Sequence, residues 1–190
     1  RICAEASSYH AISSAAGSSG RPAAKFEARI SKIGLLFDLI VVLVLAAFPC
    51  IYDIDGNSYG EGDQTTHAKV TQEMLHDGHW LIPTNKGKPY INKPPFKMWL
   101  VAAPVKLLGE STFSYRILDG IIGVLTVAAI YLFAALLFNS RLCGYLAALA
   151  QLGCTGWFFG HGVRESVQDG AMIFFTVLAL ICGYRFVETA

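Results

Sequence analysis

Four long apolar segments divide this chain, and they constrain its fold more than any other feature of the sequence. Each approaches the roughly 20 residues that an α-helix needs to cross the hydrocarbon core of a bilayer. The predicted spans cover residues 33–51, 117–138, 143–160 and 171–187. Only 15% of the residues are charged, against roughly 25% in soluble domains. The sequence therefore predicts an all-α fold, a polytopic membrane helix bundle with about four transmembrane helices.

The charge balance excludes one class of partner. The chain carries 15 basic and 14 acidic residues, a net charge of +1, whereas nucleic-acid binding needs a basic face. We expect membrane lipids, and no nucleic acid, as partners. The five cysteines and five histidines lack metal-ligand spacing. Any divalent cation is expected to bind carboxylate oxygens of the acidic loop instead, and the sequence assigns no metal ligand.

The polar segments complete the predicted organisation. Residues 1–32, rich in Ser, Ala and Gly, predict a disordered cytoplasmic tail with basic residues near its end. The run at 33–51 is too long for a signal peptide and predicts an uncleaved anchor. Residues 52–116 predict an outer loop with juxtamembrane helices, one of them at 64–77 before a stop at Gly78. Residues 33–190 are expected to be the N-terminal part of a larger membrane protein.

The topology depends on residues 94–108, which are apolar but short for a span. If this segment does not cross the membrane, Asp63 and Asp169 share the outer face, and Arg141 and Arg185 lie with the tail in the cytoplasm. If it does cross, Asp169 moves to the face opposite Asp63. The positive-inside rule favours the first arrangement.

Three polar residues meet in that arrangement, and each has a structural interpretation beside a functional one. Local sequence favours Asp63 as a helix N-cap, although a carboxylate there is also well placed as a general base. Lys93, fixed by Pro94-Pro95, either snorkels to lipid headgroups or holds a phosphate as a point charge. Asp169 suits a helix N-terminus because of the dipole.

Other charged residues near the span ends leave alternatives open. Arg164 and Glu165 could form a local ion pair, and Asp38 is expected to pair with Lys32 or to snorkel. A transporter or channel subunit would use Asp38 and Asp119 on a path through the spans. A non-catalytic membrane scaffold with an outer binding loop is a further alternative.

A series of motifs in the outer loop resembles the first outer loop of the GT-C glycosyltransferases. The nearest branch is the protein O-mannosyltransferase-like group that includes the bacterial aminoarabinose lipid A transferases. The motifs are Gly62-Asp63-Gln64, Glu73-Met74-Leu75, Gly78-His79-Trp80-Leu81-Ile82-Pro83, Gly87-Lys88-Pro89-Tyr90-Ile91-Asn92-Lys93-Pro94-Pro95, Trp99-Leu100, Gly109-Glu110 with Arg116, and Arg164 with Asp169.

The resemblance implies a function and a site. Members transfer a sugar from a polyprenyl-phosphate donor to a lipid or protein acceptor on the outer face of the membrane, here the bacterial inner membrane. The family's loop aspartates fall on Asp63 and Asp169, which the resemblance makes catalytic. Lys93, Arg164 and Trp99 would bind the substrate. The family's juxtamembrane helix would contain Trp99, in agreement with the non-crossing arrangement.

Two departures from the family pattern stand beside Asp63. The usual Asp-Glu doublet is Asp63-Gln64 here, and the Arg-Tyr pair that often follows is Thr66-His67. These changes bear on acceptor identity and on metal binding at the doublet more than on the class of reaction.

Overall fold

The computed structural model describes residues 31–56, 62–159 and 162–189. The predicted tail falls almost wholly outside this part of the chain, so it stays a prediction. The α-helices are α1 Lys32–Ile51, α2 Asp63–Asp77, α3 Phe96–Leu108, α4 Thr112–Leu137, α5 Arg141–Leu152 and α6 Asp169–Thr189. A hairpin pairs β1 Thr84–Asn85 with β2 Lys88–Pro89, and a 3₁₀ turn covers Thr155–Trp157.

The longest helix, α4, is the centre of the bundle, and α1, α3, α5 and α6 all pack against it. Serines cap two of the helices, because the Ser111 side chain accepts from the Ser114 N–H and the Ser140 side chain from the Cys143 N–H. Glycines let α1 and α4 approach closely: a Cβ on Gly120 would lie 2.8 Å from the Cys50 carbonyl oxygen.

One buried cluster joins α1, α4, α5 and the segment after α5. Among the described residues, its members are Val42, Ala46, Cys50, Val124, Val127, Ala128, Tyr131, Ala135, Ala148, Trp157, Phe158 and Val163. The outward faces of α1 and α6 carry exposed Leu, Ile, Phe and Val side chains. Within the described ranges, three helices are long and apolar enough to cross a membrane: Ile33–Ile51, Thr112–Leu137 and Asp169–Thr189.

The structure corrects the predicted span at 143–160. Helix α5 ends at Leu152, and its 12 residues rise only about 18 Å, short of the roughly 30 Å hydrocarbon core. Gly153 and Gly156 follow at once, and glycine is among the poorest helix formers. The chain still continues toward the opposite end of the bundle, where Val163 contacts Gly123 of α4.

Contacts between the helix ends fix their directions. Asp38, near the start of α1, binds Arg141 at the start of α5, while Cys50, near the end of α1, lies against Gly120 early in α4. Helix α6 ends beside the end of α4, where the Tyr184 hydroxyl lies 3.4 Å from the Leu136 carbonyl oxygen. Helices α1, α5 and α6 therefore run antiparallel to α4.

Helix α3 does not cross the bundle. Its 13 residues pack on α2 through Met98 and Ala102 and on the first turns of α4 through Val101 and Val105. The start of α2, the start of α6 and the whole of α3 thus lie at the same end of the bundle, as the non-crossing arrangement predicts.

Candidate functional site

The Lys93 ammonium donates to the Asp63 carboxylate at 2.6 Å, across 30 positions of sequence. Both side chains remain partly accessible, with 28% of Lys93 and 40% of Asp63 exposed. The hydrogen bond that Lys93 donates to Asp63 raises the pKa of Lys93 above its ordinary value. Lys93 is therefore a stable cation at neutral pH that solvent and ligands can reach.

Asp63 is the first residue of α2, not its N-cap. Gly62 takes the cap position with a φ of 123°, a backbone conformation that favours glycine. The N-cap interpretation of Asp63 is therefore wrong, and its carboxylate is directed to Lys93 instead. The first turn of a helix also favours a negative charge there.

Asp169 is the first residue of α6, at the same end of the bundle, and its side chain is exposed. Its charge lies near enough to Lys93 to contribute to the raised pKa of that ammonium. The structure thus brings Asp63, Lys93 and Asp169 together around one cation.

Arg164 has a different environment. Its guanidinium donates to the carbonyl oxygens of Pro49 at 3.0 Å, Tyr52 at 3.0 Å and Asp53 at 2.6 Å. These are free carbonyls at the C-terminal end of α1, which a cation satisfies well. The structure gives Arg164 a role in the fold, and its predicted contact with a substrate stays a prediction.

Trp99 forms a hydrogen bond with the loop after α2. Its indole N–H donates to the Trp80 carbonyl oxygen at 2.8 Å, and Lys106 lies over the Trp80 ring at 5.3 Å from the centroid. Beside Trp80 an open groove of about 720 Å³ is lined by residues between Gly78 and Pro89. The aromatic rings and the lysine form a partly exposed surface of the kind found at membrane interfaces.

Beneath the Asp63–Lys93 pair lies a set of buried polar groups that the sequence analysis missed. Lys97 donates to Asp119, with 2% of each side chain exposed. His67 Nδ1 lies 2.9 Å from the Ser166 carbonyl oxygen, so Nδ1 carries the proton in this bond. The available signal was the spacing of Asp63 and His67, four residues apart on one helix.

The electrostatics of this buried set keep His67 neutral. Burial lowers its pKa below the ordinary value, and the Lys93 and Lys97 ammonium groups lower it further, against the opposing effects of the Ser166 carbonyl and Asp63. A neutral imidazole with its proton on Nδ1 is a hydrogen-bond donor to backbone and not a third positive charge in the site.

Gln64, the departure from the family doublet, also has a defined partner. Its Oε1 accepts from Arg116 Nη2 at 3.0 Å, and Arg116 Nη1 donates to the Ile54 carbonyl oxygen at 3.0 Å. Arg116 is 2% exposed. This arginine therefore ties the start of α2 to α4 and to the end of α1.

A metal ion has no evident ligand set in the part of the chain that the structure describes, where no group of three His, Cys, Asp or Glu side chains could hold one. A divalent cation stays a prediction from the acidic loop.

The fold and the site define a multi-pass membrane protein that gathers two carboxylates and a lysine at one end of a helix bundle. The chain belongs to the dolichyl-phosphate-mannose-protein mannosyltransferase family, whose model matches residues 92–190. This match contains Lys93 and Asp169, and the similarity to individual relatives extends over more of the chain.

Two relatives carry the name undecaprenyl phosphate-alpha-4-amino-4-deoxy-L-arabinose arabinosyl transferase. The protein from Pseudomonas savastanoi pv. phaseolicola is 29% identical over 171 residues, which cover 76% of this chain and 31% of the relative. The protein from Pseudomonas aeruginosa strain LESB58 is 31% identical over 168 residues, with the same coverage. The chain thus spans about a third of the length of these relatives.

A solved structure shares the fold. ArnT from Cupriavidus metallidurans, determined bound to undecaprenyl phosphate, superposes with a TM-score of 0.55 and 19% identity. The similarity covers 79% of this chain and 27% of that one. The all-α, polytopic membrane fold predicted from the sequence is confirmed.

Proposed function

We propose that this chain forms part of a membrane glycosyltransferase that moves a sugar from a polyprenyl-phosphate donor to a lipid or protein acceptor. The observation that carries the proposal is the contact of the Lys93 cation with Asp63, with Asp169 near enough to act on its charge, in a chain of this family. The names of the arabinosyl transferases reported above and the undecaprenyl phosphate bound to the solved structure that shares this fold support a polyprenyl-phosphate donor.

The reaction requires a cation, a base and an apolar surface for the lipid. The acceptor oxygen attacks the anomeric carbon, the bond between that carbon and the phosphate oxygen breaks, and the polyprenyl phosphate leaves with the electron pair. Lys93 stabilises the developing phosphate charge, a type of contribution on the order of 3 kcal/mol. The acceptor proton passes to a carboxylate, and general-base catalysis contributes roughly 10²–10⁴-fold.

Asp63 and Asp169 divide the carboxylate roles in this proposal. Asp63 holds Lys93 in the resting state, and a phosphate that binds Lys93 would compete for the same ammonium and release the Asp63 oxygen. Asp63 then accepts the proton, while Asp169 orients the acceptor or the sugar. Trp99 holds the Trp80 loop, whose apolar surface lies along the lipid.

We propose that this site faces the outside of the bacterial inner membrane. Arg141 and Arg185 lie at the opposite end of the bundle, and basic residues accumulate on the cytoplasmic side. The transporter alternative loses its basis, because Asp38 is bound by Arg141 and Asp119 by Lys97. Neither carboxylate is left as an isolated charge within a span.

The test uses the purified full-length protein and undecaprenyl phosphate-linked 4-amino-4-deoxy-L-arabinose with a labelled sugar. Wild-type protein should consume the donor in the presence of a lipid or protein acceptor. Asp63→Asn and Lys93→Gln should each reduce consumption by at least 100-fold without loss of membrane insertion. Asp77→Asn and Lys69→Gln are matched controls on the exposed surface of α2 and should retain activity.

Normal turnover in Asp63→Asn or Lys93→Gln would refute the roles given to those residues. Failure of the wild-type protein to consume this or any other polyprenyl-phosphate sugar would refute the proposed function itself.

A further inference from the structure

A buried ion pair of Lys97 and Asp119 lies under the site. Both side chains are 2% exposed, and lysine and aspartate are almost never buried to this degree unless they are paired. The neighbours of Lys97 on α3, including Met98 and Val101, are buried and apolar. The pair therefore joins the first turn of α3 to the second turn of α4 within an apolar environment.

A second buried contact lies beside this pair. The His67 imidazole donates to the Ser166 carbonyl oxygen, and His67 and Ser166 are 1% and 0% exposed. Ser166 thus contacts α2 through its backbone carbonyl.

Three of these buried residues are each close in sequence to a residue of the candidate site. His67 follows Asp63 by four positions on α2, Lys97 follows Lys93 by four across Pro94-Pro95, and Ser166 precedes Asp169 by three. Each of the three site residues has a buried polar residue three or four positions away in the sequence, and in the case of Asp63 and His67 both lie on one helix. Asp119 of α4 accepts from one of those buried residues, Lys97.

Stability alone does not account for this arrangement. A buried ion pair generally gives no more stability than well-packed apolar residues of similar volume, although removal of one partner is strongly destabilising. What the pair adds is a directional contact that allows one register between α3 and α4. Catalytic groups need this kind of support because a displacement of about 1 Å can cost on the order of 100-fold in rate.

We propose that His67, Lys97, Asp119 and Ser166 are positioning residues, a buried layer that sets the mutual placement of Asp63, Lys93 and Asp169. This inference rests on the proposed glycosyl transfer for its kinetic test. The layer acts through the site residues and does not contact the donor.

The first test compares single and double substitutions of the ion pair in the full-length protein. Lys97→Met should lower kcat by about 100-fold while the KM for the undecaprenyl phosphate-linked sugar changes less than about threefold, because Lys93 still binds phosphate but out of line. Lys97→Met with Asp119→Leu should regain stability, since an apolar pair restores the packing, but its kcat should stay at least about 30-fold below wild type because the directional contact is still missing.

The second test uses the histidine. An Asn at position 67 can place its amide N–H where His67 Nδ1 donates, whereas Leu cannot. His67→Asn should retain kcat within about fivefold of wild type, and His67→Leu should lose at least 30-fold. This rescue by a conservative variant remains informative even if a single substitution of the ion pair fails to fold.

Tyr131→Phe is the matched control. It removes a buried hydroxyl that donates to Asp38 at 2.6 Å, at the opposite end of the bundle. This variant should be less stable than wild type but keep its kcat. An equal loss of kcat in Tyr131→Phe and His67→Leu would overturn the proposal, because general destabilisation would then explain both.

Two other outcomes also contradict the positioning role. A folded double variant with the kcat of wild type would mean that packing alone sets the register and that the contact between Lys97 and Asp119 is not needed. An unchanged kcat in Lys97→Met would mean that the pair does not act on the site at all.

Hydrogen exchange separates this inference from the proposed function. In the full-length protein, His67→Leu should increase amide exchange in residues 162–169 and at the start of α2, whereas Tyr131→Phe should not. This result is expected whether or not the wild-type protein transfers a sugar. Unchanged exchange in His67→Leu would overturn the inference and leave the proposed function standing.

Discussion

Arg141 binds both carboxylate oxygens of Asp38, 103 positions away in the sequence, with the Nε–Oδ2 distance at 2.5 Å. The hydroxyls of Tyr131 and Tyr145 donate to the same carboxylate, at 2.6 Å and 2.8 Å. The sequence predicted a contact of Asp38 within α1 or snorkelling, whereas the structure shows a contact with another helix. It holds the start of α1 against the start of α5 and the last turns of α4. The candidate site lies at the opposite end of the helix bundle.

Loss of the arginine at this contact should be costly. Arg141→Met removes the cation bound to the Asp38 carboxylate, which is 0% exposed, and a buried charge without its ionic partner costs about 3 kcal/mol. Arg185→Met is the control, because Arg185 forms an exposed pair with Glu188 and such pairs contribute about 0–1 kcal/mol. Titration of the full-length protein with SDS in mixed micelles measures both free energies of unfolding. Equal losses would contradict the importance of the buried contact.

The close approach of α1 and α4 predicts that Ala is tolerated differently at Gly120 and at Gly183. A Cβ on Gly120 would lie 2.8 Å from the Cys50 carbonyl oxygen, and since this neighbour is backbone, the helices must separate. Gly120→Ala should therefore destabilise by about 1–3 kcal/mol, as other overpacked sites do. Gly183→Ala on α6 has open space around the new methyl group and should be neutral or slightly stabilising. The same micelle titration applies, and similar values for the two variants would refute the close approach.

Gln64 tests how the start of α2 is held. Gln64→Ala leaves Arg116 Nη2 without this acceptor in a buried position, which should cost about 1–3 kcal/mol. Gln64→Glu restores the doublet of the family and keeps the acceptor, so its stability should stay close to wild type. The control is Gln72→Ala, which removes an exposed bond to Glu110 and should cost little. If Gln64→Ala and Gln72→Ala have equal free energies of unfolding, the anchoring role of Arg116 is wrong.

Much of the site could be predicted from the number of membrane crossings between its residues. Once residues 94–108 are too short to cross, an even number of crossings separates Asp63 from Asp169, and the two carboxylates must share one end of the bundle. The local signals were also sufficient for α2, which ends at Gly78 in the left-handed conformation that glycine permits. Whether these residues catalyse the proposed transfer stays a prediction.

The contacts between helices could not be predicted in the same way. The partners Lys97–Asp119 and Asp38–Arg141 depend on the register of one helix against another, and a single sequence carries no direct signal of that register. Apolar side chains also concealed the end of α5, because Cys154, Trp157 and Phe158 continue the apolar run past Leu152 although they are not α-helical. Burial of Trp157 and Phe158 in the common core explains their composition.

The buried histidine predicts a pH dependence of stability. The folded protein lowers the pKa of His67 through burial and through Lys93 and Lys97, against the Ser166 carbonyl and Asp63. The unfolded chain therefore binds the proton more readily, and stability must rise with pH between the folded and unfolded pKa values. As pH falls below the ordinary value of about 6.5, the free energy of unfolding should decrease by at most about 1.4 kcal/mol per pH unit from this group. His67→Asn cannot be protonated and should give a flatter profile between pH 7 and pH 5. Parallel profiles for the two proteins in mixed-micelle titrations would show that His67 is protonated without cost in the folded state and is not neutral beneath the site.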